Sequence, residues 1–430
     1  VSERETMNND QTMFLIICSA MVLFMTPGLA FFYGGLVRAS SVVSMMMMSI
    51  GSLGLIGVMW VLFGYAISFS GAGSGEFYGV DGVVGIDFTK LGLEDVFNAA
   101  KGGDGFGLAF AGFQGTFAII TVALISGAIA DRARFGSWMV FAGLWATIVY
   151  FPVASWIFNF TAKDGKVVDG GWLVYNVGVL DFAGGTVVEV ASGASALALA
   201  LVLGKRFGFT KGMHAPHNVP LVLIGVAILW FGWFGFNAGS ELAADGVASL
   251  AFINTLAAPV GAMVTWAIYE QVAHGKPTSI GVGSGAIAGL VAITPSCAYI
   301  DPVWALVLGA IVGVVCALAI ELKFVLGFDD SLDVVGIHLV GGIIGTLFIG
   351  LVGKGVGLFF GYGWDQLGKQ AIGVGVVLVF AFVVSYALGW VIQKTIGFRV
   401  TSTDEIAGVD LVQHGELGYA GTDPRWTWKN

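Results

Sequence analysis

Apolar segments long enough to cross a lipid bilayer recur along the whole chain. A helix needs about 20 apolar residues to cross the ~30 Å hydrocarbon core of a bilayer. Only 11% of the 430 residues are charged, against about 25% in a soluble domain. We therefore predict an all-α polytopic membrane protein with eleven transmembrane helices and no separately folded soluble domain. The predicted spans are roughly residues 11–35, 44–69, 108–130, 137–159, 183–203, 219–239, 247–270, 279–298, 302–322, 335–353 and 371–394.

The glycine content supports a tightly packed helix bundle. There are 66 glycines, about twice the usual share of ~7%. Small residues let helix backbones approach closely inside a membrane, where no hydrophobic effect drives helices together.

The basic residues of the loops predict an orientation. If the N-terminus faces outside, twelve of the 19 lysines and arginines fall in inside segments and seven in outside segments. Cytoplasmic loops carry the excess of basic residues in most membrane proteins. We therefore predict that the N-terminus is outside and the C-terminus inside. The chain then divides into a transmembrane domain, residues 1–396, and a cytoplasmic C-terminal tail, residues 397–430.

Two segments in different halves of the chain share one pattern. "DFAGGTVVEVASG" begins at Asp181 and has Glu189 eight positions later, while "DSLDVVGIHLVGG" begins at Asp330 and has His338 eight positions later. In the predicted topology the two helices enter from opposite faces, as in an inverted-topology repeat. Such repeats place substrate sites near the midplane, at the interface between the halves.

The spacing brings the two ionisable side chains together. Eight residues at 1.5 Å each carry Glu189 and His338 roughly 12 Å inward from opposite faces, so about 6 Å of a ~30 Å core separates them along the membrane normal. An ionisable group in the membrane costs ~3 kcal/mol, and such groups usually line a pathway or pair with one another. We predict a functional pair; the alternative is two unrelated polar residues, each satisfied by a neighbouring helix. Asp181 and Asp330 are expected to cap their helices, a contact worth ~1 kcal/mol.

Several motifs resemble the ammonium transporter family Amt/Mep/Rh, on its Amt/Mep side. They are "AFFYGGLVR" (30–38), "GFQGTFAIITVALISGAIADR" (112–132), "DFAGGTVVEVASG" (181–193), "WFGFNAGS" (233–240) and "DVVGIHLVGGIIG" (333–345). The resemblance runs from about residue 10 to the C-terminal "HGELGY" with the motifs in order. It implies a 5+5 inverted repeat plus a final helix, a homotrimer with one pore per subunit, and passage of ammonium or ammonia.

The resemblance also implies roles for single residues. Phe117 and Phe236 match the stacked phenylalanines that close the pore, and His338 matches the second of the family's twin pore histidines. The residues implied at the outer ammonium site, or beside it in the pore, are Ser240, Trp233, Asp181 and Phe113.

Two positions depart from the family pattern. Glu189 stands where the first twin histidine is expected, a replacement that a subset of the family shares. The usual outer-site tryptophan has no clean counterpart, because an insertion, "NFTAKDGKVVD", follows Phe158. Trp156, Phe158 and Trp172 are the three candidates for the aromatic residue that covers the vestibule.

These residue types suit the passage of ammonium. Moving a bare cation into a low-dielectric pore costs about 20 kcal/mol before relaxation. Aromatic faces at a vestibule recover up to ~2 kcal/mol, and removing the proton leaves neutral ammonia, which loses far less by leaving water. Glu189 and His338 are predicted to accept and relay that proton as a coupled pair.

The leading hypothesis is therefore a transporter in the plasma or inner membrane, and not an enzyme. An ammonium sensor that binds but scarcely conducts is the alternative from another class. A potassium porter would need a hydrophilic filter, which the phenylalanine gate disfavours. Expected partners are ammonium or ammonia, membrane lipid, two further copies of the chain and, at a regulatory tail, a small trimeric nitrogen-signalling protein. No cofactor, metal ion or nucleic acid is expected.

Overall fold

The computed structural model describes residues 3–71, 76–163, 166–209 and 215–419. Most of these residues are helical, and the helices pack side by side into one bundle. The helices are α1 Glu3–Leu36, α2 Ala39–Ser68, α3 Glu94–Lys101, α4 Phe106–Ile129, α5 Phe135–Phe158, α6 Gly185–Leu203, α7 Val219–Gly239, α8 Gly246–His274, α9 Ser279–Ile293, α10 Pro302–Leu326, α11 Val335–Val352, α12 Asp365–Thr395, α13 Ser402–Ala407 and α14 Val409–His414.

The lengths of the apolar helices agree with a polytopic membrane protein. Among the described residues, ten helices are long and apolar enough to cross a bilayer. The predicted eighth span is a shorter helix, α9, whose 15 residues extend about 22 Å. Most of its side chains are buried among neighbouring helices, so protein surrounds it. Because α9 falls short of the ~30 Å core, the count of eleven crossings stays a prediction.

Two small hairpins accompany the helical bundle without changing its all-α class. Strands β1 Phe77–Val80 and β2 Val84–Asp87 pair antiparallel, with Phe77 opposite Asp87. The insertion after Phe158 forms strands β3 Phe160–Lys163 and β4 Lys166–Gly170, which also pair antiparallel. The two hairpins meet at the end of the bundle, where the Trp172 amide donates to the Gly82 carbonyl at 2.9 Å.

Helices α6 and α11, which carry the repeated motifs, begin in the same unusual way. Gly184 has φ +117° and Asp333 has φ +64°, and each lies three positions after the aspartate that opens its motif. Each helix then starts with a π-helical turn, Gly185–Val190 in α6 and Val335–Leu339 in α11. π-helical turns are rare in proteins, and many of those that do occur lie at functional sites. Here the two turns contain Glu189 and His338.

The first part of the predicted tail packs against the end of the bundle. The Asp410 carboxylate accepts hydrogen bonds from the amides of Val43 at 3.0 Å and Ser44 at 2.7 Å, at the beginning of α2. Phe398 is fully buried, and the Val400 amide donates to the Arg132 carbonyl at 2.9 Å. Residues 420–430 of the predicted tail lie outside the described residues.

Candidate functional site

Glu189 and His338 meet at the interface between α6 and α11. The His338 Nδ1 and a Glu189 carboxylate oxygen lie 2.6 Å apart, which is hydrogen-bond distance. Both side chains are buried, with exposed fractions of 0% for Glu189 and 3% for His338. A hydrogen bond at this distance requires one proton between the two groups, carried by either the imidazole or the carboxyl, so the pair can hold or pass a proton without contact with bulk water. The second Glu189 oxygen has no hydrogen-bond partner among the described residues.

A narrow apolar cavity lies beside this pair. Its volume of about 10 Å³ is the space that one water-sized molecule needs. Glu189 and His338 supply its titratable groups, and the rest of its wall is apolar apart from the indole nitrogen of Trp233. The Trp233 indole donates a hydrogen bond to the Thr294 hydroxyl at 2.8 Å, so the polar edge of the ring is satisfied. The cavity therefore suits a small neutral molecule better than a hydrated ion.

Two stacked phenylalanines separate this cavity from a wider one. The ring centroids of Phe117 and Phe236 are 4.0 Å apart and their planes differ by 18°. Phe236 lines the narrow cavity and Phe117 lines the wider one, so the stack closes the passage between them. Both rings are almost fully buried, at 1% exposed each.

The wider cavity, which we call the vestibule, has a volume of about 660 Å³. Asp181, Ser240 and Phe158 belong to its lining. The Ser240 hydroxyl donates to the Phe236 carbonyl at 2.8 Å. Its hydrogen is therefore occupied, and the hydroxyl oxygen can only accept a hydrogen bond from a molecule in the vestibule.

Asp181 holds the beginning of α6. Its carboxylate accepts hydrogen bonds from the amides of Gly184 at 2.9 Å, Gly185 at 2.6 Å and Thr186 at 2.7 Å, and also from the Thr186 hydroxyl. At the corresponding position of α11, the Asp330 carboxylate accepts from the Val335 amide at 2.7 Å. These contacts satisfy helix amides that have no partner within the helix.

Four of the aromatic residues predicted at the outer site lie outside the vestibule lining, and one of them, Trp233, lines the narrow cavity instead. Phe113 is fully buried and packs on Phe117, with ring centroids 4.8 Å apart. Trp156 and Trp172 pack edge to face, 5.8 Å apart, and the Trp156 indole donates to the Val83 carbonyl in the turn between β1 and β2. The Trp156 indole and the Trp172 backbone amide therefore join the β1–β2 hairpin to the bundle. Of the three candidates for the covering aromatic residue, Phe158 is the one in the lining.

Sequence reasoning missed several residues at the site. Glu241, Gln114 and Tyr299 line the vestibule. For Glu241 a signal was present, because this carboxylate directly follows the "WFGFNAGS" motif. Tyr299 reaches the vestibule from the turn after α9, and no sequence pattern connects that turn with the motif.

Known proteins match this chain over nearly its whole length. The model of the Ammonium Transporter Family matches residues 13–419. The chain belongs to this family. An ammonium transporter of Mycobacterium bovis is 48% identical over 430 residues, which cover 95% of this chain and 90% of the relative.

Solved structures of the ammonium transporter family share the fold. Mep2 of Saccharomyces cerevisiae gives a TM-score of 0.80 at 32% identity, over 92% of this chain and 88% of that one. A structure described as a sensor Amt protein gives a TM-score of 0.86 at 28% identity, over 96% of this chain and 100% of that one.

Proposed function

We propose that the protein transports ammonium across a membrane, and that Glu189 and His338 take up and relay its proton. The observation that carries this proposal is the buried 2.6 Å contact between the two groups, in a cavity that a phenylalanine stack closes. The relatives named as ammonium transporters support the same function. They also favour transport over the sensor alternative, because the described sensor is the more distant relative, at 28% identity.

The geometry suggests a sequence of events. An ammonium ion is held in the vestibule, where Ser240 offers an acceptor oxygen and aromatic rings attract the cation. As the Phe117–Phe236 stack parts, the ion gives its proton to the Glu189–His338 pair, since neutral ammonia enters the apolar cavity at far lower cost than the ion. The proton passes through Glu189 and His338 while ammonia moves along the cavity. Because the charge and the molecule both cross, transport is electrogenic.

The arrangement in the membrane is part of the proposal. The chain crosses eleven times as a 5+5 inverted repeat plus a final helix, with the N-terminus outside and the C-terminus in the cytoplasm. Residues 1–396 form the pore domain, which assembles as a homotrimer in the plasma or inner membrane. Residues 397–430 form a regulatory tail to which a small trimeric nitrogen-signalling protein binds. The twelve basic residues of the predicted inside segments support this orientation.

Current from proteoliposomes on a solid-supported membrane tests the function. An ammonium jump is expected to give a sustained current in the wild-type protein, and a potassium jump none. Glu189→Gln keeps the shape of the side chain but cannot become charged, so we expect the ammonium current to fall by about a hundredfold, the effect of losing one proton-transfer group.

The matched control is Glu94→Gln, which makes the same change at an exposed position on α3. An unchanged current and pH profile in Glu189→Gln would remove Glu189 from the mechanism. A brief binding transient without a sustained current, in the wild-type protein, would contradict electrogenic transport.

A further inference from the structure

Glu241 occupies the mouth of the pore without an assigned role. It follows Ser240 directly, in the turn between α7 and α8, and its half-buried side chain lines the vestibule. The next residue, Leu242, has φ +62°, a left-handed backbone conformation that a bulky residue rarely adopts. The surrounding structure holds this turn, and Glu241 with it, at the vestibule wall.

The charge of Glu241 is uncompensated, unlike that of Asp181. The Asp181 carboxylate is engaged by four amides and a hydroxyl at the beginning of α6. Within the described residues, the Glu241 carboxylate makes no hydrogen bond or ion pair, and the vestibule lining contains no lysine, arginine or histidine. An unpaired carboxylate in a concave site without basic residues raises the local concentration of cations.

We propose that Glu241 concentrates ammonium at the mouth of the pore and so lowers the ammonium concentration needed for half-maximal transport. This inference rests on the proposed function and adds a residue that determines apparent affinity. The molecule that Glu241 attracts is the cation, because neutral ammonia has no net charge to attract. Glu241 takes no part in the proton relay, since the Phe117–Phe236 stack lies between the vestibule and the Glu189 cavity.

The same environment gives the effect a pH dependence. Burial, and then the charge of Asp245, raise the pKa of Glu241 to about 7. The other titratable groups around it are Asp181 across the vestibule and Cys297 and Tyr299 on the turn after α9, and none of them carries a positive charge. Below pH 7 Glu241 is mostly neutral, and above pH 7 it is mostly ionised. The attraction of ammonium therefore grows as the pH rises from 6 to 8.

The test compares Glu241→Gln with wild type in ammonium titrations of the proteoliposome current at low salt. At pH 8 we expect the half-saturating ammonium concentration to rise about fivefold, the effect of one exposed ion-pair interaction, with the maximal current unchanged. At pH 6 the two proteins should give the same value, because the wild-type carboxylate is mostly protonated. High sodium chloride should reduce the difference at pH 8, because salt screens exposed charges.

The control is again Glu94→Gln, which removes one negative charge outside the vestibule lining. Equal half-saturating concentrations for wild type and Glu241→Gln at pH 8 would overturn the proposal. So would an equal shift in Glu94→Gln, because the effect would then belong to overall surface charge.

A second measurement separates this inference from the proposed function. If the wild-type protein gives no sustained ammonium current, the transport function fails. Ammonium binding is then measured as the rise in thermal unfolding temperature of the detergent-solubilised protein at pH 8. A smaller rise in Glu241→Gln than in wild type supports the role of Glu241, whereas an equal rise, or none in either protein, overturns it.

Discussion

At the scale of single residues, one hydroxyl fixes Trp233, the tryptophan that lines the narrow cavity. The Thr294 hydroxyl accepts the hydrogen bond of the Trp233 indole at 2.8 Å and itself donates to the Leu290 carbonyl at 2.8 Å. Both side chains are buried, so no water replaces this contact. The orientation of a ring in the wall of the narrow cavity therefore depends on a residue that is absent from that wall.

Thr294→Val tests this dependence, because valine keeps the shape of threonine without the acceptor. The indole N–H then remains buried and unpaired, which costs about 1–3 kcal/mol. We expect a lower thermal unfolding temperature and a changed maximal current, with little change in the half-saturating ammonium concentration. Thr395→Val is the control, since its hydroxyl bonds only to carbonyls of its own helix near an exposed end. Equal effects of the two substitutions would contradict the assignment.

The sequence predicted the ionisable pair better than its aromatic surroundings. Glu189 and His338 could be placed because the eight-residue spacing from a helix start fixes depth along a helix. The sequence did not show which of the three aromatic candidates lines the vestibule. Trp156 and Trp172 are held by hydrogen bonds to the β1–β2 hairpin, which the sequence did not predict. Glu241 was missed because its exposure depends on the turn between α7 and α8.

At the scale of elements, α6 and α11 touch backbone to backbone where they carry the pair. A Cβ atom added at Gly342 would lie 2.8 Å from the Glu189 Cβ and 3.0 Å from the Gly185 carbonyl oxygen. Any larger residue at this position must push the helices apart. The 2.6 Å contact between Glu189 and His338 therefore depends on a glycine at position 342.

Gly342→Ala is expected to weaken transport without removing any polar group. Overpacking of this kind costs typically about 1–3 kcal/mol, and the separation of α6 and α11 lengthens the hydrogen bond of the pair. We expect a lower ammonium current together with a lower unfolding temperature. Gly368→Ala is the matched control, because no atom lies within 4 Å of a Cβ added there. A normal current in Gly342→Ala would show that the pair tolerates a wider separation.

The apolar periodicity of the sequence predicted the helices but not every length. Runs of about 20 apolar residues are sufficient evidence for a membrane helix, and ten described helices meet that standard. The predicted span 279–298 continues as apolar sequence beyond Ile293, where the helix ends, and Thr294–Ile300 forms turns. The hairpins were missed because strands of four or five residues give a weak pattern.

At the scale of the whole molecule, one buried network ties four parts of the chain together. Arg206, after α6, contacts Asp329 at 2.9 Å and Asp131 at 3.0 Å, and Arg132 donates to the Asp329 carbonyl at 2.6 Å. The Arg399–Glu405 ion pair joins the tail to the same region, since Glu405 also accepts from the Phe207 amide. The loops before α11 and after α4 and α6 are therefore held as a unit with the tail.

Asp329→Ala is expected to lower the free energy of unfolding by about 3–5 kcal/mol, because it leaves the buried Arg206 without its main partner. Burial by itself would raise the pKa of Asp329, but the charge of Arg132 and the contacts of Arg206 outweigh burial and lower it. A carboxyl group whose pKa is lower in the folded state than in the unfolded state stabilises the fold at pH values above the unfolded pKa of about 3.9. This stabilisation is lost as the pH falls through the pKa of the folded state.

Thermal unfolding in detergent between pH 3 and pH 8 measures both effects. The difference between wild type and Asp329→Ala should be constant from pH 5 to pH 8 and should shrink below about pH 4. Asp365→Ala removes one partner of an exposed ion pair, to Lys369, and is expected to cost at most about 1 kcal/mol. Equal losses in the two variants would contradict a structural role for the network.

The phenylalanine stack has a consequence for the time scale of passage. The barrier between the vestibule and the cavity is only two side chains thick, with ring centroids 4.0 Å apart. Rotation of side chains is faster than the rocking of helix bundles that opens alternating-access transporters. In the proposed mechanism each turnover therefore requires Phe117 and Phe236 to part, and it does not require the rocking of one half of the fold against the other.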